Sequence, residues 1–126
     1  HGTDNPWDEA LTLILHLLHL PHDADERILD ASLTKKERKL ILQMVEARCI
    51  DRVPVAYITG EAWFAGLSFK VDERVLIPRS PIAEMIDNGF APWATKPWQR
   101  VLDLCTGSGC IGLACARSRS ACRSLA

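Results

Sequence analysis

No excess charge of either sign, no long apolar run, no paired-cysteine motif and no internal repeat marks this chain of 126 residues. Its 15 Lys and Arg nearly balance 16 Asp and Glu, for a formal charge of −1. That excludes the broad positive field with which a nucleic-acid-coating protein neutralises phosphates, so any such contact requires a local patch. The longest greasy stretch, Leu11 to Leu20, is interrupted by Thr12, His16 and His19 and is too short to cross a bilayer. No basic flank, apolar core and small-residue cleavage site opens the chain, so no secretion signal is read and a cytoplasmic setting is expected. The cysteines, Cys49, Cys105, Cys110, Cys115 and Cys122, are odd in number and form no C-x-x-C pair, which predicts reduced, hydrophobe-like thiols and no metal site. With 25% charged and 48% apolar residues the chain has the composition of a folded protein. Its length suits one domain, or a small domain with a piece of another. Two changes of pattern favour the second.

From Asn5 to Leu20, Trp7, Leu11, Ile14 and Leu18 recur at helical spacing and predict an amphipathic helix with these residues as its buried stripe. Asn5 is its expected cap, Pro6 its first turn, Asp8 and Glu9 the acids near its positive end, and Pro21 its stop. A turn or two of helix is expected from Asp25 to Leu29. Thr34 and Glu37 then form a capping box that opens a longer helix, with Leu40, Ile41, Met44, Val45 and Cys49 as its core stripe, ending before Pro54. Beyond Pro54 the pattern turns strand-like: Glu61 to Phe64 and Leu67 to Val71 flank Ala65-Gly66, a hairpin signal and a joint between domains. Ser80 is placed to cap a helix that has Pro81 at its first position and runs to about Asn88, with Gly89 as its stop. Arg100 to Leu104 reads as a short buried strand, followed by the loop Cys105-Thr106-Gly107-Ser108-Gly109 and a helix from Cys110 to Ala116.

That strand, loop and helix carry most of the chemistry. Gly107-Ser108-Gly109-Cys110-Ile111-Gly112 fits G-x-G-x-x-G, in which backbone approaches a dinucleotide pyrophosphate at a helix N-terminus. Asp103, four residues before Gly107, argues against that ligand: a carboxylate 4 Å from a phosphate costs roughly 1 kcal/mol even with water-like screening. Beside the ammonium group of S-adenosylmethionine the same carboxylate attracts, while the cofactor's own carboxylate suits the helix N-terminus. S-adenosylmethionine is therefore preferred to NAD, although an NAD-binding oxidoreductase, or a plain tight turn into a helix, also fits the glycines.

Four stretches together resemble a known family. They are Arg52-Val53-Pro54 to Tyr57-Ile58-Thr59-Gly60, Trp63-Phe64-Ala65-Gly66 to Phe69, Val71-Asp72 through Pro78-Arg79-Ser80-Pro81 to Glu84, and Leu102-Asp103-Leu104-Cys105 to Ile111. The chain is similar in these to the HemK-like protein-glutamine methyltransferases. Arg79-Ser80-Pro81 and Cys105, in place of a glycine, resemble the branch that modifies ribosomal large-subunit protein three. The likeness runs back to His1-Gly2 and forward to about Ala116. It implies an α+β fragment: residues 1–53 as part of a helical substrate-recognition domain, 54–77 as a β-hairpin linker, and 78–126 as the start of a Rossmann-like methyltransferase domain, its first βα unit. It implies S-adenosylmethionine as cofactor and methylation of a glutamine side-chain amide in a ribosomal large-subunit protein. Asp103, Cys105, Thr106, Gly107, Ser108 and Gly109 match the family's cofactor loop, and Pro78, Arg79 and Glu84 fall near the expected pocket.

The family's Asn-Pro-Pro-Tyr segment, which grips the target amide, has no counterpart here, and no acid follows Asp103 to meet the ribose. No catalytic residue is assigned, and the chain is expected to be an inactive internal piece of a longer enzyme. The rival reading is a non-catalytic protein-binding module built on Asn5 to Arg52. His16, His19 and His22 sit three apart, but a solvated face explains them better than zinc. Lys35, Lys36, Arg38 and Lys39 form a basic cluster that suits either RNA or solvent. Trp63, Phe64 and Phe69 are expected to pack the hairpin, and Arg79 with Glu84 either to approach the pocket or to pair at the surface.

Overall fold

The structure is a computed structural model that describes residues 5–21, 23–94, 96, 98 and 100–124, with the backbone alone at 26 and 119–124. It is α+β. In chain order come α1 (Pro6–Leu17), a 3-10 turn (Glu26–Asp30), α2 (Lys35–Cys49), α3 (Val55–Thr59), β1 (Glu61–Phe64), β2 (Leu67–Lys70), α4 (Ile82–Asp87) and α5 (Cys110–Ser124). Two compact units result, His1–Thr59 and Gly60–Ala126. Among the described residues no helix is long and apolar enough to cross a membrane.

In the first unit, the Asn5 side chain accepts from the Asp8 amide at 3.2 Å and Pro6 occupies the first turn of α1, as expected. The helix ends earlier than Pro21. His19 takes a left-handed φ of 54°, its amide donates to the His16 carbonyl at 3.1 Å, and the Leu20 amide donates to Leu15 at 2.9 Å. This is a Schellman close with histidine where glycine is usual, so His19 has a backbone role. His22 lies outside the described residues. The expected stripe is also corrected: Trp7 is 65% exposed, and Leu13 and Leu15 are the buried residues. Those two lie about 160° apart on the helix wheel, and α1 packs against both α2 and α3, so a single-stripe reading could not place both.

The capping box at α2 forms as read. Glu37 donates its amide to Thr34 Oγ1 at 3.2 Å, while the Thr34 amide donates to the Glu37 carboxylate at 2.7 Å and holds its pKa below the ordinary value. The expected core stripe of α2 is not buried. Ile41 and Met44 are half-buried, and Leu40, Val45 and Cys49 are exposed. An ion pair also joins α2 to α1: Arg48 donates to both carboxylate oxygens of Glu9 at 2.7 and 3.1 Å, and this bonding raises the Arg48 pKa. A cleft of about 350 Å³ opens beside the pair, lined also by Ala10, Leu13, Val45 and Cys49. α2 thus borders an opening where the stripe predicted a closed core.

The hairpin of the second unit follows the sequence closely. Ala65 and Gly66 have φ of 48° and 70°, the left-handed pair that matches the twist of a two-residue turn. The register pairs Ala62 with Phe69, Trp63 with Ser68 and Phe64 with Leu67. Alternation then buries Ala62, Phe64 and Phe69, followed by Val71, while Trp63 faces outward and is exposed. Arg117 of α5 donates to the Gly66 carbonyl at 2.8 Å and ties that helix to the turn. α4 packs on α5, with Ile86 and Cys115 each 1% exposed. At the start of α4, Ser80 Oγ accepts from the Ile82 amide at 3.2 Å. At its end Gly89, at φ 60°, donates to Ile86 and is followed by the Phe90 amide donating to Met85, a Schellman close at the expected glycine.

The expected buried strand from Arg100 to Leu104 is not found. The sheet has two strands, β1 and β2, and residues 100–104 pair with neither. Leu102 is 81% exposed and Leu104 75%. The reason is physical: an apolar strand of this type needs a ladder on its flanks and cover on its faces, and among the described residues no parallel strand lies beside it. Replacing Leu102 and Leu104 together by Ser should therefore leave the thermal midpoint of this chain within about 2 °C, because exposed positions contribute little. It should also lower self-association by sedimentation. A drop beyond about 5 °C would mean that these side chains are covered after all.

Candidate functional site

The glycine loop hangs on one carboxylate. Asp103 Oδ2 accepts from the Thr106 hydroxyl at 2.9 Å and from the Gly112 amide at 3.1 Å. Gly112 is the third residue of α5, so its amide has no partner within the helix, and Asp103 caps the helix from outside it. The negative charge also lies at the favourable end of the helix dipole. Between the two ends of this link the backbone turns through three left-handed residues: Cys105 at φ 57°, Gly107 at 57° and Gly109 at 77°. The Gly109 amide donates to the Thr106 carbonyl at 2.9 Å, and the Leu113 amide to Gly109 at 3.0 Å, which passes the turn into the helix.

The three glycines of the motif have different reasons. At Gly112, an added Cβ would stand 3.3 Å from Asp103 Oδ2 and 3.6 Å from its Cβ, a tight approach between helix and preceding segment that favours glycine. At Gly107 a Cβ would meet nothing nearer than the Cys105 carbonyl at 4.0 Å. There the dihedral selects glycine, and the space beside the loop is open. Cys105 adopts the same dihedral with a side chain, at a cost of about 1 kcal/mol. Cys105, Thr106 and Gly107 are exposed; Asp103, Ser108 and Gly109 are half-buried. Beneath the loop, burial pushes the Cys115 thiol pKa up, and the Asp103 charge adds to it, which makes this thiol inert.

Of the other sequence-read positions, Pro78 is buried, and Arg79 and Glu84 are exposed, with no described bond from either to the loop. The cleft near Glu9 and Arg48 includes none of them. Neither His16 nor His19 belongs to a cluster that could hold a metal ion, and no such cluster exists among the described residues. Sequence reasoning missed the bonds of Asp103 to Thr106 and Gly112. A threonine three residues on and a glycine nine residues on were the available signals.

No family model matches the chain. Among curated proteins, it is 52% identical over 118 residues to one from Bordetella pertussis named ribosomal protein uL3 glutamine methyltransferase. Proteins with the same name from Xanthomonas campestris pv. campestris and Xylella fastidiosa are 56% and 55% identical over 115 residues. These alignments take in 92%, 90% and 90% of this chain but 40%, 37% and 37% of those proteins. The chain therefore spans about two-fifths of the length of these relatives, and over that stretch it is a homologue of glutamine methyltransferases, as its motifs indicated.

Asp103→Ala should free the Gly112 amide and the Thr106 hydroxyl together. Amide hydrogen exchange at Gly112 should quicken at least about tenfold, with a stability loss of about 1 kcal/mol, the worth of a helix cap. Unchanged exchange at Gly112 would show that the cap is not made by this carboxylate.

Proposed function

We propose that this chain is part of an enzyme that transfers a methyl group from S-adenosylmethionine to the side-chain amide nitrogen of a glutamine in a ribosomal large-subunit protein. The observation that carries the reading is the shape of 103–112, an open left-handed loop whose carboxylate, Asp103, is held at the N-terminus of α5 by the Gly112 amide. The names of the relatives at 52–56% identity support the substrate class. In this reading residues 1–53 belong to a helical substrate-recognition domain, 54–77 form the linker, and 78–126 begin a Rossmann-like domain.

The loop fits the cofactor's polar end. Gly107 is exposed, and a Cβ there would meet nothing nearer than the Cys105 carbonyl at 4.0 Å, so a ligand can approach the backbone at that point. Both described bonds to Asp103 fall on Oδ2, which leaves Oδ1 to receive an ammonium group. When bound, S-adenosylmethionine supplies an electrophilic methyl on a sulfonium. An amide nitrogen shares its lone pair with its carbonyl and is a poor nucleophile, so catalysis rests on orienting it. The residues expected to grip that amide are absent from this sequence, and the part played by 103–112 is to hold the donor.

Two measurements test this. In the full-length protein that carries this chain, calorimetric titration with S-adenosylmethionine should show Gly107→Val weakened at least about tenfold, since a branched side chain conflicts with both the dihedral and the approach. Cys105→Gly should bind within about twofold and be more stable by about 1 kcal/mol, the left-handed strain being relieved. Unchanged affinity in Gly107→Val would remove the loop from the cofactor site. Separately, radiolabel transfer to a glutamine-containing ribosomal protein should be seen with the full-length protein and not with the 126-residue chain. Turnover by the short chain would overturn the assignment of the amide-gripping role to residues outside it.

A further inference from the structure

Residues 1–59 hold ten acids and seven bases, yet four of the bases are packed into the five residues from Lys35 to Lys39. All four, Lys35, Lys36, Arg38 and Lys39, are exposed in the first turns of α2, and none takes part in an ion pair among the described residues. By contrast, Arg27 is bound to Asp25 and Arg48 to Glu9. The single acid within the cluster, Glu37, is held by the Thr34 amide and caps its own helix.

This arrangement is unfavourable for the helix by itself. Cations at the first turn oppose the helix dipole. Lys35 with Arg38, Lys36 with Lys39, and Lys35 with Lys39 are like charges at the three- and four-residue spacings where helical neighbours repel. The four side chains spread over an arc of about 160°, away from the half-buried Glu37, Ile41, Met44 and Arg48. A solvated helix face gains nothing from concentrating repulsion in this way, whereas a polyanion relieves all of it at once. No aromatic residue lies on this face, whose other exposed members are Leu42, Gln43, Glu46 and Cys49. The face therefore lacks the stacking platform that unpaired bases require, and its chemistry matches a run of backbone phosphates.

We propose that the exposed face of α2 formed by Lys35, Lys36, Arg38 and Lys39 docks on the phosphate backbone of double-helical RNA. The choice of RNA among polyanions rests on the ribosomal reading above: a ribosomal protein reaches an enzyme either free or already seated on RNA, and a basic face favours the seated form. The net negative charge of the rest of this unit then restricts contact with RNA to that one face.

The test is fluorescence anisotropy of the full-length protein with a labelled RNA duplex of about 20 base pairs, at several salt concentrations. The fourfold variant Lys35→Gln, Lys36→Gln, Arg38→Gln, Lys39→Gln should bind at least about tenfold more weakly, and its plot of log affinity against log salt should be shallower by about 3. Its thermal midpoint should stay level or rise, because like-charge repulsion is removed, so lost binding will not reflect lost folding. Arg27→Gln, which removes a paired cation, should bind as the parent does. Equal affinity and slope in the fourfold variant would overturn the proposal. So would displacement of the RNA by polyglutamate of matched charge as readily as by unlabelled duplex, which would make the face a protein-docking one. Binding is read without methyl transfer, so a protein that binds RNA through this face but methylates nothing would refute the enzymatic reading and keep this one.

Discussion

The second unit depends on a single carboxylate standing where a sheet would otherwise do the holding. In a parallel α/β unit the strand before a glycine loop is fixed by ladders to its neighbours. Here residues 100–104 have no ladder, and the path of the chain into α5 is set by Asp103 Oδ2 reaching both the Thr106 hydroxyl and the Gly112 amide. One hydrogen bond closes the loop on itself and the other anchors it to the helix. The three left-handed residues between them are the backbone's means of fitting that short span. Gly112 is favoured by the same contact, since a Cβ there would crowd the carboxylate.

Local signals were the legible part of this fold. The Asn5 cap, the Thr34 and Glu37 box, the Ala65-Gly66 turn and the Gly89 stop each depend on residues within a few positions of one another, and each forms as read. What the sequence did not disclose depends on distant neighbours. Trp7 and Leu13 are both apolar residues on an apolar helix, and only the placing of α2 and α3 decides which is covered. The Arg100 to Leu104 run has the composition of a buried strand, but burial belongs to the surrounding sheet and not to the run. His19 is exposed, as the solvated reading expected, but it also has a backbone role that its position did not announce. Its left-handed φ makes it the closing residue of α1.

The candidate site was legible in outline for a related reason. Spacing in a glycine motif records local dihedral demands, so Gly107 and Gly109 could be placed on a sharp turn from sequence alone. The sign of the charge at Asp103 gave a reason to prefer a cationic ligand to a pyrophosphate. The close approach at Gly112 was less accessible, because it joins positions nine apart through a contact that the motif does not state. Cys105 is the exception that tests the logic: it keeps a left-handed φ with a side chain, so the position tolerates strain that glycine would remove.

Asp103 faces two demands in the proposed reading, to cap α5 and to meet a cationic ligand, and these are compatible only if they use different oxygens. A carboxylate has lone pairs enough for several donors. Both described bonds use Oδ2. A ligand ammonium at Oδ1 therefore adds a partner without removing the Gly112 or Thr106 bond, and it keeps the negative charge at the positive end of α5, where the helix favours it. A neutral Asn in its place would retain an acceptor for the cap while losing the charge for the ligand. The two losses differ in kind: the cap keeps its hydrogen bonds and gives up only the helix-dipole contribution, whereas a cationic ligand gives up its ionic partner.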